Sequence, residues 1–192
     1  MSESNSLSTP RKLRADAQRN RDLILTIARE EFARQGANVT LEDIVRLSGL
    51  GVGTLYRHFP TREALIEAVY LSEVEKLAAA ARELAESEPP VEALRQWMVC
   101  FVEFVATKSA MKETLSAMIA DTKELYANST ELIRSAMNTL VERGVASGEI
   151  QVVIDPLDLL RALSGVVGSG PNSEESARRL VDILIAGICI RK

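Results

Sequence analysis

Apolar residues recur every three or four positions along most of this chain, and polar residues fill the positions between them. This spacing places the apolar side chains on one face of an α-helix. Glycine, proline and helix-capping residues divide the pattern into about nine helical segments. No segment alternates convincingly as a strand, and the short β-branched run at 151–154 is interpreted as a loop. The pattern therefore predicts an all-α fold.

The first predicted helix begins near Asp16 and ends at Gly36, and it carries Ile24 and Phe32 on its apolar face. Glycine commonly follows the last turn of a helix, because it adopts the left-handed backbone conformation without strain. The residues before Asp16 are polar and then basic, and they show no apolar periodicity. Residues 1–15 are therefore predicted to form a flexible basic tail.

Two short helices joined by a tight turn are predicted directly after this helix. Thr40 offers an N-cap hydroxyl, and Asp43 completes an acidic variant of the capping box. Gly49 supplies the left-handed residue of the turn, and a third helix follows at about 52–58 before Pro60. This arrangement is typical of a helix-turn-helix. The side chains expected to clamp the two helices together are Ile44, Leu47, Leu50 and Leu55.

The start of the third helix has the composition that DNA reading requires. In a helix-turn-helix this helix lies in the major groove, so its outer residues must be small or able to hydrogen-bond. Thr54 has a hydroxyl for a base edge or a phosphate, Val52 has methyl groups for a thymine methyl, and Gly53 lets the backbone approach closely. Tyr56 and His58 add phosphate ligands. The segment therefore predicts binding to double-stranded DNA.

The rest of the chain is predicted to form a larger helical domain at 63–192, after a DNA-binding domain at 16–62. A long helix from Thr61 to Glu88 connects the two. The last two predicted helices are Pro156–Val167 and Ser173–Arg191. The final helix has apolar residues around most of its circumference, more than one packing face needs, which favours a dimer interface.

Composition and charge restrict the partners of the chain. Hydrophobic residues make up 46% and charged residues 26%, which is typical of a globular protein. The net charge of −4 conceals an asymmetry: residues 1–62 carry ten Lys and Arg against seven Asp and Glu, a net +3, and the remainder carries −7. Only the N-terminal part is therefore suited to phosphate. Without a long apolar run or a signal peptide, we expect a cytoplasmic protein with no membrane partner.

No catalytic motif stands out in the sequence. There is no Gly-rich phosphate loop, no Gly-x-Ser-x-Gly elbow and no cluster with metal-ligand spacing, and the single histidine lies in the helix-turn-helix. Cys100 and Cys189 stand singly in apolar segments and are expected to be buried free thiols. We therefore expect no enzyme activity, no metal and no cofactor. A helical protein-interaction module that has lost DNA binding remains an alternative, and an enzyme is a more distant one.

The segment TLEDIVRLSGLGVGTLYRHFPTREALIEAV resembles the DNA-binding segment of the TetR family, the tetracycline-repressor-like regulators of bacteria. The resemblance implies that the third helix is the recognition helix and that the threonine opening the second helix faces DNA. A lysine at the start of the fourth helix usually contacts phosphate in this family, and Arg62 takes that position here. The residues expected to bind DNA are Thr40, Val52, Gly53, Thr54, Tyr56, His58 and Arg62.

The same resemblance implies a ligand-released repressor that binds a near-palindromic operator as a homodimer. The C-terminal domain is then expected to bind a small-molecule effector and to dimerise through its last two helices. A stripe of aromatic and methionine side chains is more often ordinary core, and the resemblance raises the cavity interpretation to an equal footing. The residues expected to line the cavity are Trp97, Phe101, Phe104, Met118 and Tyr126. The residues expected at the dimer interface are Leu160, Leu163, Val167, Leu180, Leu184 and Ile188.

Overall fold

The computed structural model describes residues 10–112, 115–116, 123–151, 155–167 and 172–190. The chain divides into two compact units, one ending at Val69 and the other beginning at Tyr70. Within the described residues there are eight α-helices and one isolated β-bridge. The predicted all-α fold, with an N-terminal helix-turn-helix and a larger helical part, is confirmed. No helix among the described residues is long and apolar enough to cross a membrane.

Three helices and the start of a fourth build the first unit. Helix α1 spans Pro10–Gln35, α2 spans Leu41–Ser48, α3 spans Val52–His58, and α4 spans Arg62–Ser87. A short 3-10 turn at Gly36–Asn38 joins α1 to α2, and both α2 and α3 pack against α1. The apolar faces of these helices meet in a common core, where each side chain loses its contact with water. That core includes Ile24, Phe32, Ile44, Leu55, Phe59 and Leu65.

Helix α1 begins earlier than the sequence pattern predicts. Its first residue is Pro10 rather than a residue near Asp16, so Arg11, Lys12 and Arg14 belong to a helix and not to a flexible tail. Proline suits the first helical position, because its fixed φ is helical and it has no N–H to leave unsatisfied. The residues that follow are mostly good helix formers, so this part of the chain is helical although it lacks the apolar periodicity used for the prediction.

The second unit is a bundle around α5. Helix α5 spans Pro90–Ala110, α6 spans Lys123–Ala146, α7 spans Pro156–Val166 and α8 spans Ser173–Ile188. Helix α5 packs against α6, α7 and α8, and α7 also packs against α6 and α8. The spacing of Met111, Leu115, Met118 and Ile119 also predicts a helix, most of which lies outside the described residues. The side chains at the centre of the bundle include Leu94, Trp97, Met98, Val102, Met137, Leu140, Leu163 and Val181.

The end of α8 is joined to the segment that follows α6. Helix α8 ends at Ile188 and not at Arg191 as predicted, because Cys189 forms an antiparallel bridge with Ile150. The amide of Gln151 donates to the carbonyl of Ile188 at 2.8 Å, and the amide of Ile190 donates to the carbonyl of Glu149 at 2.9 Å. The carbonyl of Ile188 and the amide of Ile190 are thus satisfied by the segment that follows α6, without a further turn of helix.

Candidate nucleic-acid interface and cavity

A reciprocal capping box closes the N-terminus of α2. The amide of Asp43 donates to Thr40 Oγ1 at 3.2 Å, and the amide of Thr40 donates to Asp43 Oδ2 at 3.2 Å. The Thr40 hydroxyl also donates to Asp43 Oδ2 at 2.7 Å, and Arg46 Nη2 donates to Asp43 Oδ1 at 2.9 Å. These bonds, that of the Thr40 hydroxyl first, lower the pKa of Asp43 to about 2. Both donors of Thr40 are thus engaged within the chain. The contact of Thr40 with DNA stays a prediction.

The turn between α2 and α3 depends on glycine. Gly49 ends α2 with a φ of +65°, in the left-handed region where a Cβ strains the backbone. The amide of Leu50 donates to Ser48 Oγ at 3.3 Å, and the amide of Thr54 donates to the carbonyl of Gly51 at 2.8 Å. The turn is therefore closed by local hydrogen bonds, and only two residues separate Gly49 from the start of α3.

Helix α3 has one buried face and one exposed face. Leu55 is completely buried, and Phe59 directly after the helix is almost so. On the other side, Val52 is 58% exposed and Tyr56 is 41% exposed. His58 is half-buried, with its ring tilted against Phe59 at a centroid distance of 6.1 Å. The structure thus leaves the first turn and the tyrosine of α3 free for an external partner.

Gly53 lies on this exposed face without an internal reason to be glycine. A Cβ placed on it meets no other atom within 4 Å, and its φ lies outside the left-handed region. Glycine in a helix is less favourable than alanine by about 0.5–1 kcal/mol. Neither packing nor backbone conformation within the chain therefore requires this glycine, whereas a surface that approaches α3 closely would require it.

The segment from the middle of α2 to the start of α4 carries positive charge only. Residues 44–62 contain no Asp or Glu, and they contain Arg46, Arg57 and Arg62 as well as His58. Arg57 is exposed at the last turn of α3, and Arg46 is exposed on α2. Such a segment attracts phosphate, although Asp43 pairs with Arg46 and Glu42 lies in the same groove as Arg46. Arg46 was not among the residues predicted to face DNA, although its exposed side chain lies beside α3.

Arg62 has an internal role at the start of α4. Its Nε donates to the carbonyl of Val39 at 3.0 Å, and its guanidinium lies over the ring of Phe32 at 5.7 Å from the centroid. These contacts tie α4 to α1 and to Val39, two residues before the start of α2. Arginine is well suited to this, because its planar group stacks on a ring and donates several hydrogen bonds together. The predicted contact of Arg62 with phosphate stays a prediction.

A shallow groove of about 250 Å³ lies between α2 and α3. It is lined by Glu42, Val45, Arg46, Val52 and Tyr56, of which only Val52 and Tyr56 are among the residues predicted to bind DNA. Leu47 was expected to clamp the helices, but it is 44% exposed. Helix α2 has only eight residues, and Leu41 and Ile44 already fill its buried face. The exposed apolar side chain of Leu47 is a correction to that expectation.

A larger cavity of about 660 Å³ lies in the second unit. Three of the residues expected to line a cavity, Phe101, Phe104 and Tyr126, lie along it. Trp97 does not: it is completely buried, and its Nε1 donates to the carbonyl of Leu77 at 2.9 Å. Met118 lies outside the described residues. The polar and basic lining was missed, although Lys108 follows Phe101 and Phe104 at helical spacing on the same face of α5.

Four of the six predicted interface residues are buried within the protomer. Leu163 and Ile188 belong to its core, and Leu160 and Val167 line the cavity. These side chains leave no surface for a partner, whereas Leu180 and Leu184 on α8 are partly exposed. Ile183, which was not predicted, is 67% exposed on the same helix. Apolar periodicity marks a packed face but does not distinguish a neighbouring helix of the same chain from one of a partner.

Comparison with family models gives two matches that together span most of the chain. The model for bacterial regulatory proteins of the tetR family matches residues 24–69. The model for the C-terminal domain of SbtR-like transcriptional regulators matches residues 89–190. The first match contains α2, α3 and the turn between them, and the second contains α5 to α8 and the cavity.

Individual proteins give the same picture. The crystal structure of the TetR transcriptional regulator SCO0520 from Streptomyces coelicolor has 40% identity and a TM-score of 0.80, covering 90% of this chain and 99% of that one. The HTH-type transcriptional regulator UidR from Escherichia coli (strain K12) is 27% identical over 81% of this chain and 83% of its own length. The HTH-type transcriptional regulator SAR0097 from Staphylococcus aureus is 40% identical over 70 residues, which cover 35% of this chain and only 36% of that protein.

Proposed function

Because this chain belongs to the TetR family of bacterial transcriptional regulators, we propose that it is a repressor that binds a near-palindromic operator as a homodimer and is released by a small-molecule effector. In this proposal the first turn of α3 enters the major groove and reads base edges. The cations near α2 and α3 contact phosphates, which fix the position of the protein but carry no sequence information.

The exposed position of Gly53 on α3 is the observation that supports the DNA-reading role most directly. It is exposed on α3, and no atom of the chain approaches the position of a Cβ there. A methyl group at this position thus leaves the packing of the chain undisturbed but takes up space on the side that faces the groove. The residues around it, Val52 and Thr54, offer an apolar contact and a hydroxyl to base edges.

The homodimer is proposed to form through the exposed apolar face of α8. Leu180, Ile183, Leu184 and Gly187 follow one another at helical spacing and therefore share one face of this helix. An exposed apolar stripe of this kind is typical of a protein interface. A two-fold symmetric dimer presents two copies of α3 about 34–36 Å apart, the distance between successive major grooves, and so reads a symmetric operator.

The cavity of the second unit is the proposed effector site. Its volume of about 660 Å³ falls within the range of about 300–1,000 Å³ that is usual for small-molecule sites. An effector that binds the DNA-free conformation more tightly than the DNA-bound one lowers operator affinity in proportion to that difference.

Selection of DNA fragments from a random pool by the full-length protein tests this proposal. We expect an enriched sequence with two inverted half-sites, and a binding constant that falls steeply as salt rises, because phosphate contacts release counterions. Absence of any enriched sequence, or an affinity independent of salt, would contradict the regulator proposal.

A substitution of Gly53 sharpens the test. In Gly53→Ala the free energy of unfolding should rise by about 0.5–1 kcal/mol, while affinity for the selected operator falls by about tenfold or more as close contacts with bases are lost. Thr139→Ala on the exposed face of α6 is the control, since it also replaces a poorer helix former by alanine but lies outside α3. It should leave operator affinity unchanged. An equal affinity in Gly53→Ala and the parent protein would remove the assigned role.

A further inference from the structure

The cavity of the second unit carries an unequal distribution of charge. Four cations line it, and none of its lining residues within the described part of the chain is Asp or Glu. The cations come from three different parts of the bundle, so they converge on one space instead of following a single helix. They are Lys108, Lys112, Arg134 and Arg161.

The four cations differ in whether they already have an anionic partner. Arg134 Nε lies 3.4 Å from Glu131, and Arg161 Nη1 lies 2.6 Å from Asp158, each in an exposed pair along its own helix. Lys108 and Lys112 make no ion pair with any described residue. Among the described residues, the positive charge in the cavity that lacks an anionic partner therefore lies mainly on the two lysines.

Lys108 is partly desolvated and lies against an aromatic ring. It lies over the ring of Tyr70, 5.8 Å from its centroid, where the ring face attracts the cation. Although much of the residue is open to solvent, partial burial lowers the pKa of Lys108. An anion beside it would stabilise the charged form, for which the described residues supply no anionic partner.

The wall next to Lys108 is aromatic and apolar. The rings of Phe101 and Phe104 are 6.1 Å apart, Phe104 is 6.1 Å from Tyr70, and Tyr70 is 5.1 Å from Tyr126. Phe101 and Lys108 are separated by about 10 Å along the axis of α5. Leu157, Leu160 and Val167 of the α7 segment extend the apolar wall. The cavity thus has an aromatic and apolar wall that extends along α5 from Phe101 towards the lysines.

We infer that the effector of this regulator is an amphipathic organic anion, with its carboxylate or equivalent acidic group between Lys108 and Lys112 and its apolar body against Phe101 and Phe104. This inference rests on the proposed function, since it specifies the class of effector for the cavity assigned there. An acid with a compact aromatic or aliphatic body matches both parts of the lining, whereas a cation would meet four positive side chains.

Matched ligand sets test the inference with the full-length protein. Each set keeps one apolar body and varies its polar group among a carboxylate, a carboxamide and a primary amine. Suitable probes are the naphthylacetyl, phenylbutanoyl and decanoyl series. Isothermal titration should show the carboxylate binding more tightly than its amide by about tenfold, the contribution of a charge-assisted hydrogen bond, and the amine binding least. If the carboxylate does not bind more tightly than its amide in any of the series, the inference is wrong.

Charge-removing variants locate the binding. The double substitution Lys108→Gln with Lys112→Gln should reduce the advantage of the carboxylate over the amide by about tenfold while leaving amide binding unchanged. Lys76→Gln removes a lysine that pairs with Glu73 on α4 and does not line the cavity, so it serves as the matched control. An undiminished carboxylate advantage in the double variant would place the anion elsewhere and overturn the inference.

Operator binding is measured on the same preparations. If the protein binds its selected operator but shows no preference for carboxylates, the regulator proposal stands and the effector class is wrong. If it selects no operator at all, the regulator proposal fails, whatever the ligands do. Release of operator DNA by the carboxylate and not by its amide supports both.

Discussion

The ionised carboxylate of Asp43 holds the first turn of α2 together, because it accepts hydrogen bonds from the hydroxyl and amide of Thr40 and from Arg46. Its pKa in the folded chain is about 2, below the ordinary value of 3.8. A lowered pKa in the folded state means that the ionised form stabilises the fold above the ordinary pKa. That contribution is lost as the pH falls from about 4 through about 2.

Asp43→Asn should therefore lower the thermal unfolding midpoint relative to the parent protein at about pH 6, and the difference should shrink as the pH falls below about 4. Thermal scans at a series of pH values measure this. Glu42→Gln is the control, since it removes a charge from the same turn, which favours anions, without disturbing the capping box. A difference between Asp43→Asn and the parent that is independent of pH would argue against the capping role of the carboxylate.

Single residues also show where sequence reasoning reaches its limit. The capping partners Thr40 and Asp43 and the left-handed Gly49 are predictable, because each is fixed by its near neighbours in sequence. The internal contacts of Arg62 with Val39 and Phe32 are not, because they depend on how α4 meets α1. A cation in a DNA-binding motif can bind the chain itself, and composition does not reveal this.

At the scale of elements, the end of α6 depends on a close approach between Gly144 and Ile150. The Cβ of an alanine at 144 would lie 2.9 Å from Ile150 Cγ1 and would overlap its terminal methyl. Ile150 is almost fully buried and forms the β-bridge with Cys189, so it has little freedom to move. The absent side chain of Gly144 thus provides the space into which Ile150 packs.

Gly144→Ala should reduce the free energy of unfolding by about 1–3 kcal/mol, the usual cost of overpacking a core. Ile150→Ala should cost about 2–5 kcal/mol through the cavity it leaves. In the double variant only the Cβ of residue 150 remains near, at 3.3 Å, so most of the clash is relieved and Gly144→Ala should add little to Ile150→Ala. Chemical denaturation of the four proteins at equal concentration gives this cycle, and additive costs would show that the two residues do not compete for one space.

The positions of the helices were largely predictable from the sequence, but the burial of individual side chains was not. Periodicity places Trp97, Phe101 and Phe104 on one face of α5, but Trp97 lies in the core and the two phenylalanines line the cavity. The difference arises from which helix faces each turn of α5, and that is a tertiary property. For the same reason Leu160 and Leu163 were assigned to a partner chain although the protomer itself covers them.

At the scale of the whole molecule, the proposed operator binding requires two chains. A single α3 reads only a few base pairs, so preference for one operator over random DNA depends on a dimer that presents two at a fixed distance. Ile183 is the exposed centre of the apolar face of α8 and is therefore a sensitive position for this assembly.

Ile183→Glu should shift the protein from dimer to monomer, since the carboxylate would be buried without a partner in the interface. Sedimentation velocity measures the assembly, and operator affinity should fall with it. Leu132→Glu on α6 adds the same charge at an exposed leucine, which is 48% exposed, and should leave both unchanged. A dimer that persists in Ile183→Glu would exclude this face of α8 as the interface.

The bridge between Ile150 and Cys189 bears on the order in which the second unit folds. It joins residues about forty positions apart, and closing so long a loop is entropically unfavourable until other contacts have brought its ends together. Packing of α7 against α8 brings them together, so the bridge is expected to form late and to open together with that helix pair. The amide protons of Gln151 and Ile190 are consequently natural markers for hydrogen exchange: their protection from solvent reports whether the last helix has docked.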